Sequence, residues 1–318
     1  MTKRRTHVAK SSGLNTRRAL ARATAAALTA ALVATGASSA VAADEPVPTA
    51  TRPQADVKPS ENSKFGSTAL PGDAQINPLF GSDGNGDLWG YLPNWEGGLD
   101  SRFFSGSGWD TARAATQVDH NSDGESDGLW QVTAGGQLYY GDWGIDSEHI
   151  FVGNGWKIYD QLFSADNLGG AGADDLLARD GSGNLYLYLG YGNGKLTQRY
   201  KVGGGWNAYT HITGKGDLSG DGKADIVAKD KSGVLWLYKG TGNYKAPFSS
   251  RTRVGGGWNT YNNIVSVGDI DIDGITDLVA RNKSGALYLY KGTGNGSAPF
   301  KSPVKIGSGG WNIYKMMF

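Results

Sequence analysis

Three acidic loops recur along the 318-residue sequence, and the spacing of their carboxylates is suited to coordinating a metal ion. Each reads Asp-x-(Asp/Asn/Ser)-x-Asp-Gly-x-x-Asp, so positions 1, 3, 5 and 9 offer side-chain oxygens and position 7 a backbone carbonyl. The candidate ligands are Asp119, Asn121, Asp123, Glu125 and Asp127; Asp217, Ser219, Asp221, Lys223 and Asp225; and Asp269, Asp271, Asp273, Ile275 and Asp277. Calcium takes about six to eight hard oxygen ligands, and glycine at position 6 permits the sharp turn. The three loops therefore predict about three bound Ca²⁺ ions.

The same residue types also favour turns that bind no metal, so a single loop of this kind would leave both interpretations open. Recurrence at the same place in successive repeats favours calcium. The spacing resembles the first half of an EF-hand loop, but no helical segments flank it. A fourth segment, 166–175, occupies the equivalent place, has lost the position-5 carboxylate and is predicted to bind no metal.

The loops belong to a longer repeat that is marked by a Gly-Trp pair. The pair recurs with spacings of 47, 50, 52 and 53 residues, at Trp109, Trp156, Trp206, Trp258 and Trp311. Each repeat contains four short runs of aliphatic and aromatic residues separated by Gly, Asn and Ser, which predicts four β-strands. Four-stranded units of about 40–50 residues have the size of a β-propeller blade. Residues 74–318 are therefore predicted to form an all-β propeller.

The two ends of the repeat region predict how many blades there are. Residues 84–91 match the third strand of the repeat, whereas residues 311–318 match the first strand. We therefore expect the C-terminal strand to complete the first blade, giving five blades in a closed ring. Closure removes the exposed edges that an open sheet would present. The alternative is an open β-sandwich.

The acidic loops, each followed by Ile/Leu-Val-Ala or a similar run, resemble the FG-GAP or VCBS repeat of integrin-α-type propellers. The usual ring of that family has seven blades, whereas this chain has material for five. The segments 254–258 and 306–311, which carry Gly-rich turns before Trp, look instead like the five-bladed tachylectin-type lectins. Those lectins bind N-acetylated sugars between blades. Both resemblances imply a binding module and no chemistry.

Carbohydrate is the ligand that the repeated Gly-Trp-Asn-x-Tyr pattern favours, because aromatic rings pack on sugar C–H faces and amides bind hydroxyls. The candidate residues are Trp206, Asn207 and Tyr209; Trp258, Asn259 and Tyr261; and Trp311, Asn312 and Tyr314. A Trp at the same place in every blade could equally pack between blades. The expected partner is an extracellular glycan or cell-wall polysaccharide. Protein–protein adhesion, or a structural place in a secreted assembly, is the alternative.

The N-terminal segment predicts that the protein is secreted. Residues 1–43 carry seven Lys and Arg, no acid and an Ala-rich stretch ending near Ala42, which is typical of a signal peptide. The pair at Arg17 and Arg18 leaves twin-arginine export open as well as the general route. Residues 44–73 contain five prolines among polar residues and are predicted to be a disordered linker.

The remaining composition excludes several classes of function. The formal net charge of +1 becomes about −6 once the seven basic residues before 44 are removed, which argues against a nucleic-acid partner. The absence of Cys excludes disulfides and thiol catalysis. The sequence lacks a Walker motif, a complete dinucleotide fingerprint and a Gly-x-Ser-x-Gly elbow, so we expect no nucleotide ligand and no enzymatic activity. No segment of the mature chain is apolar enough for membrane insertion.

Overall fold

The computed structural model describes residues 74–94, 96–143, 149–170 and 172–318. The predicted signal peptide, 1–43, and the predicted linker, 44–73, lie outside the described residues. Within the described part, twenty strands form five separate four-stranded antiparallel sheets. This is the predicted five-bladed β-propeller. No helix in this part of the chain has the length and apolar composition needed to cross a membrane.

The four strands of a blade follow one another from the axis of the ring to its rim. From the innermost to the outermost, blade 1 consists of β20 (Met316–Met317), β1 (Leu79–Ser82), β2 (Leu88–Tyr91) and β3 (Phe103–Gly106). Blade 2 consists of β4 (Ala112–Val118), β5 (Gly128–Thr133), β6 (Leu138–Asp142) and β7 (Ile150–Gly153). Blade 3 consists of β8 (Tyr159–Asp166), β9 (Asp175–Asp180), β10 (Leu185–Tyr188) and β11 (Tyr200–Gly203).

Blades 4 and 5 repeat this pattern. Blade 4 consists of β12 (Tyr209–Thr213), β13 (Ile226–Asp230), β14 (Leu235–Tyr238) and β15 (Thr252–Gly255). Blade 5 consists of β16 (Tyr261–Gly268), β17 (Asp277–Asn282), β18 (Leu287–Tyr290) and β19 (Val304–Gly307). Short 3₁₀ turns precede the innermost strands, at Trp109–Thr111, Trp156–Ile158, Trp206–Ala208, Trp258–Thr260 and Trp311–Ile313.

The ring closes in blade 1, where the last strand of the chain pairs with the first. Strand β20 runs antiparallel to β1, with Met317 opposite Gly81 and Met316 opposite Ser82. The Phe318 ring stacks on Phe80 and on Trp109, with both ring centroids 5.6 Å away. The prediction that the C-terminal strand completes the first blade is therefore confirmed.

Apolar side chains fill the spaces between neighbouring blades because each sheet is covered on both faces. One such core joins Leu177, Leu185 and Leu187 of blade 3 to Ile212 and Ala228 of blade 4. Strands buried on both faces read as nearly continuous apolar runs, as the sequence of β9 and β13 does. The blades are thus held together by side-chain packing, and the hydrogen-bonded ladders lie within each blade.

The innermost strands of all five blades surround a cavity of about 210 Å³ on the axis of the ring. At one end of it, Gln161 of β8 donates from Nε2 to the Thr210 carbonyl of the next blade at 3.1 Å. His211 of β12 occupies the equivalent place and bonds through Nε2 to the Asn262 carbonyl at 3.0 Å. Since a carbonyl only accepts, Nε2 of His211 carries a proton in this arrangement.

His211 should make the fold sensitive to acid, and the His211→Gln variant should reduce that sensitivity. Burial lowers the pKa of His211 to about 4, and the Lys229 ammonium adds to the effect. The unfolded side chain takes up a proton near pH 6.5, so stability is lost as pH falls from 6.5 through 4. Between pH 7 and 4.5, urea titrations should show an extra loss of about 2 kcal/mol in the parent chain. Glutamine at this place can make the kind of bond that Gln161 makes, but it takes up no proton. Equal losses of unfolding free energy in the two proteins would therefore contradict this assignment.

Candidate metal and ligand sites

The acidic loops connect the innermost strand of a blade to its second strand, and two of them gather carboxylates closely enough to hold an ion. Asp217, Asp221 and Asp225 each offer an oxygen within 4.8 Å of the others, and so do Asp269, Asp271 and Asp273. These two groups belong to blades 4 and 5. Oxygen-only donor sets of this kind suit hard divalent cations such as Ca²⁺.

The carboxylate at position 1 organises each loop by accepting backbone N–H groups. Asp217 accepts from Ser219, Gly220 and Gly222 at 2.9, 2.7 and 2.6 Å. Position 4 then adopts the left-handed region in two loops that lack glycine there, at Ser122 (φ 58°) and Ile272 (φ 61°). A β-branched residue in that region is strained, so the surrounding contacts must hold Ile272 in place.

In blades 4 and 5 the carboxylate at position 9 is buried and joins the loop to the rest of its blade. Asp225 accepts from the N–H of Leu218 at 3.1 Å and of Gly240 at 2.8 Å. Burial raises the pKa of Asp225 and of Asp277 to about 7, and neighbouring carboxylates add to the rise. A bound cation would remove this penalty because it favours the charged form of each carboxylate.

In blade 5 the geometry of Asp271 also fits a cation. Asp271 Oδ1 is buried and has no hydrogen-bond partner in the described part of the chain. Asp271 Oδ2 pairs with Lys291 Nζ at 2.7 Å, and Asp273 Oδ2 pairs with Lys301 Nζ at 3.5 Å. Two ammonium groups therefore supply positive charge to a loop whose donor set is acidic. An orphaned carboxylate oxygen in such a loop is the place that a metal ion would fill.

The loop of blade 2 is arranged differently, and its three aspartates do not form such a group among the described residues. Asp127 accepts from Asn121 Nδ2 at 3.1 Å and from the His120 N–H at 2.6 Å. The predicted position-3 ligand thus donates to the predicted position-9 ligand. A third ion, held by Asp119, Asn121, Asp123, Glu125 and Asp127, stays a prediction.

The segment 166–175 of blade 3 keeps only Asp175 of the carboxylate pattern, and a buried ion pair lies beside it. Asp175 accepts from Leu168, Gly169 and Gly190, as the position-9 carboxylates do elsewhere. The neighbouring Asp174 pairs with Lys215 Nζ at 2.5 Å, and both side chains are buried. Lys215 comes from blade 4, so a lysine from the next blade supplies positive charge beside a loop that is predicted to lack metal.

Replacing Lys215 should destabilise the fold strongly. Lys215→Met leaves Asp174 buried without its cation, which costs about 3–5 kcal/mol of unfolding free energy. The double variant K215M/D174N removes both charges and should recover most of that loss. Urea unfolding of the parent chain, the single variant and the double variant measures both effects. Equal midpoints for the single and double variants would contradict the ion-pair explanation.

The acidic loops also touch the following blade. Ser122 Oγ of the blade 2 loop donates to the Gly172 carbonyl of blade 3 at 2.5 Å. The Gly296 N–H of blade 5 donates to the Ser219 carbonyl of the blade 4 loop at 3.1 Å. An ion in one of these loops would therefore stiffen the boundary between two blades as well as its own blade.

The aromatic residues predicted to contact sugar lie largely inside the protein. Trp206 and Trp258 are 7% and 5% exposed, and each packs against a tyrosine of the third strand of its blade. Tyr209, Tyr261 and Tyr314 are buried and pair hydroxyl to hydroxyl with tyrosines of third strands. Trp311 is only half-buried. For these rings the structure shows the packing role that the sequence left as an alternative.

The predicted asparagines lie on the surface and tie one blade to the preceding one. Asn207, Asn259 and Asn312 are exposed. Asn312 Nδ2 donates to the Lys283 carbonyl at 2.9 Å, and Asn259 Nδ2 lies 3.4 Å from the Lys231 carbonyl. These exposed amides are polar groups that a ligand could also use.

Glycine turns lie beside the indole N–H groups at the blade boundaries. Trp109 Nε1 and Trp156 Nε1 are buried without a hydrogen-bond partner in the described residues. At Gly307 a Cβ atom would lie 2.4 Å from Trp311 Nε1, and at Gly203 it would lie 3.8 Å from Trp206 Nε1. The absence of a side chain at Gly307 thus lets the Trp311 indole pack against the backbone, and the residue before each Trp needs a positive φ, for example 84° at Gly205.

Stacked arginines form a feature that the sequence analysis missed. Arg102 lies 4.0 Å from the Trp89 ring centroid, and Arg199 and Arg251 lie 4.5 and 4.1 Å from Tyr186 and Trp236. Arg102 and Arg199 also donate to the hydroxyls of Tyr314 and Tyr159, at 3.4 and 3.1 Å. Their signal in the sequence was an arginine directly before the outermost strand in three of the five repeats.

Parts of this chain are similar to known proteins in sequence or in fold. A search of curated proteins returned no match. Residues 169–228 and 217–280 match the model of the FG-GAP-like repeat. These two segments of the chain are similar to FG-GAP-like repeats. The matched segments contain the acidic loop of blade 4 completely and reach through the loop of blade 5, so the FG-GAP-like repeats coincide with the two loops that gather carboxylates.

The fold containing these FG-GAP-like repeats is also similar to solved structures at low sequence identity. A lectin from Burkholderia pseudomallei has 13% identity and a TM-score of 0.45, with 72% of this chain and 69% of that one covered. An Agrocybe aegerita lectin that recognises non-reducing terminal N-acetylglucosamine has 16% identity and a TM-score of 0.40, covering 74% and 78%. A putative 6-phosphogluconolactonase from Bacteroides uniformis has 12% identity and a TM-score of 0.38, covering 70% and 69%. Similarity at this level carries no assignment of ligand or activity.

Proposed function

We propose that this protein is a secreted, calcium-stabilised, non-catalytic module that binds carbohydrate in grooves between its blades. The observation that carries the proposal is the Gly-Trp-Asn turn that recurs at the blade boundaries, where Asn207, Asn259 and Asn312 are exposed and Gly203 and Gly255 leave room beside the chain. Sugar hydroxyls can bind these amides, and glycine allows a ligand to approach the backbone closely.

Repetition around the ring makes weak individual sites useful. The Gly-Trp turn occurs at five places, one per blade. A polymeric ligand that occupies several grooves gains affinity because each later contact is intramolecular. A cell-wall polysaccharide or another extracellular glycan offers such repeated units. This supports an extracellular glycan rather than a free monosaccharide as the partner.

In this proposal the role of calcium is structural. The residues that would hold it are Asp217, Ser219, Asp221 and Asp225 in blade 4, and Asp269, Asp271, Asp273 and Asp277 in blade 5, with the carbonyls of Lys223 and Ile275. The ion would supply the positive charge that these buried carboxylates need and would fix each loop against the following blade. Secretion into calcium-containing surroundings agrees with the N-terminal segment 1–43, and because the chain has no Cys, bound metal would stabilise the domain in place of disulfides.

A non-catalytic role is supported by the way the repeat uses its carboxylates. The acidic loops account for ten aspartates in the metal pattern. The histidines His120 and His211 lie in different blades: His120 accepts from the Gly194 N–H, and His211 ties two blades together. These contacts give both side chains a structural role that needs no chemistry.

A glycan array with residues 44–318 tests the proposal, run with calcium and again with EDTA. Gly203 and Gly255 have room for a side chain and no positive φ, so G203V/G255V should fill two grooves while the fold survives. We expect the variant to lose about tenfold or more in affinity for a polymeric glycan. Gly181→Val is the control for adding valine at an open glycine position, since a Cβ at Gly181 meets nothing within 4 Å. No glycan binding at all, or equal binding by the variant, would contradict the proposal.

A protein partner is the second candidate, and exposed phenylalanines favour it. Phe104 and Phe151 are 54% and 49% exposed on the outermost strands of neighbouring blades. Each forms an edge-to-face pair with an aromatic residue of the third strand, Trp89 or Tyr139. Silence across the array, with a purified protein partner whose binding is lost in F104A/F151A, would favour adhesion to protein over carbohydrate.

A further inference from the structure

The charges on the rim of the ring are divided between two sectors. In blades 3, 4 and 5 the rim is formed by residues 189–205, 239–257 and 291–310. Each of these segments contains the hairpin before the outermost strand, the outermost strand itself and the glycine turn that follows it. Together they contain ten Lys and Arg and no Asp or Glu. In the described part of the corresponding segments of blades 1 and 2, residues 92–94, 96–108, 143 and 149–155, there are one Arg and two acids. A protein with a mature charge near −6 thus has one basic sector on its rim, formed by blades 3–5.

The second residue of the outermost strand is a cation in each of blades 3, 4 and 5. Lys201 of β11 lies opposite Tyr186, Arg253 of β15 opposite Trp236, and Lys305 of β19 opposite Tyr288. All three cations are exposed. Directly opposed residues on neighbouring strands lie side by side on one face of the sheet. Each blade of the basic sector therefore presents a cation next to an aromatic ring.

Protection of exposed sheet edges does not explain these cations. Lysine on an edge strand discourages pairing with other chains, and every blade has such an edge. In blades 1 and 2, however, the same position holds Phe104 and Phe151, which are exposed. Among the described residues, no carboxylate forms an ion pair with Lys201, Arg253 or Lys305. Their charge is therefore available to a ligand.

The basic sector is continuous with the proposed sugar grooves. The chain runs from each cation through a glycine turn into the Trp of the next boundary, as in Arg253-Val254-Gly255-Gly256-Gly257-Trp258. The Arg253 guanidinium lies 3.5 Å from the position that a Cβ would take at Gly256. A ligand in that groove would therefore meet an aromatic edge, an amide and a positive charge together.

We propose that the ligand is an anionic polysaccharide, with carboxylates or phosphates along its chain, and that it lies across the rim of blades 3–5. This inference rests on the proposed carbohydrate-binding function and names the substrate class. The three cations recur once per blade, about one fifth of a turn apart around the ring, so a polymer with regularly spaced negative charges can contact several of them at once.

Binding of the mature chain, 44–318, to polygalacturonate tests the inference, with its fully methyl-esterified form as the neutral probe. We expect at least about tenfold tighter binding to the acidic polymer, and a steep loss of binding as NaCl rises from about 50 to about 500 mM. The variant K201E/R253E should lose about tenfold or more in affinity for the acidic polymer. The control R113E/K315E makes the same change in net charge at exposed residues on or directly before innermost strands and should bind as the parent does.

The outcomes separate this inference from the proposed function. Equal binding to the acidic and the esterified polymer would overturn the inference and leave carbohydrate binding standing. Binding to neither polymer nor any arrayed glycan would remove both. Equal affinity for a DNA duplex would overturn the assignment to polysaccharide. Salt-sensitive dimers in sedimentation, abolished by K201E/R253E without any polymer present, would overturn it in favour of a second copy whose acidic sector covers the basic one.

Discussion

Removal of the last five residues, Tyr314–Phe318, should abolish the folded state of the whole ring. These residues supply β20, and the Phe80 N–H donates to the Phe318 carbonyl at 2.9 Å while the Phe318 N–H donates to the Phe80 carbonyl at 3.1 Å. Tyr314, Met317 and Phe318 are all nearly buried. Truncating one buried Phe to Ala costs about 3–5 kcal/mol. Losing three buried side chains and a strand exceeds the total of about 5–15 kcal/mol that stabilises most domains.

The single variant Phe318→Ala gives the quantitative form of this prediction. We expect a loss of about 3–5 kcal/mol in urea unfolding, because the ring of Phe318 stacks on both Phe80 and Trp109. Phe104→Ala is the matched control, since that ring is 54% exposed and its loss should change stability by about 0.5 kcal/mol or less. A near-native midpoint for F318A would mean that β20 does not close the ring.

Calcium removal should produce the second large effect. At a free calcium concentration of about a hundred times Kd, one site adds about 2.7 kcal/mol to the unfolding free energy. Two sites, in blades 4 and 5, would together raise the melting temperature by roughly 10–20 °C for a domain of this size. Calorimetric melting in calcium and in EDTA measures the difference, and isothermal titration counts the ions. A count of three would add the blade 2 loop to the two whose carboxylates are gathered.

The variant D221N/D273N should remove most of that calcium-dependent shift. Both aspartates occupy position 5 and are exposed, and an amide oxygen can still accept the backbone N–H that each now binds. The loops should therefore keep their shape while losing two ligand charges. Asp100→Asn, an exposed aspartate outside the loops, is the control. Identical melting with and without calcium in the parent chain would rule out the calcium sites.

The sequence predicted what its repeat determines directly. The spacing of Trp109, Trp156, Trp206, Trp258 and Trp311 predicts one blade each, and the mismatch between the two ends of the repeat predicts closure by the C-terminal strand. These predictions succeed because the same pattern occurs several times, so that chance matches cancel. The turn geometry at position 1 of the acidic loops is equally local, since Asp217 binds N–H groups within five residues of itself.

Features that depend on a neighbouring blade were harder to predict. The burial of Trp206 is decided by side chains of blade 3 and by Tyr238, which lies about thirty residues away in the sequence. The Lys215–Asp174 pair joins residues 41 positions apart. No residue pattern within a single repeat predicts these contacts.

Ring closure by β20 also sets an order in time. Blades 2 to 5 are each made of consecutive strands and can form while the chain lengthens, but β1 finds its inner partner only when residues 316 and 317 exist. Until then the inner edge of β1 has no partner. Contacts of such wide sequence separation form slowly, because loop closure must precede them. Synthesis is therefore the stage at which this chain is most exposed to mispairing, since β1 waits for the last strand to be made.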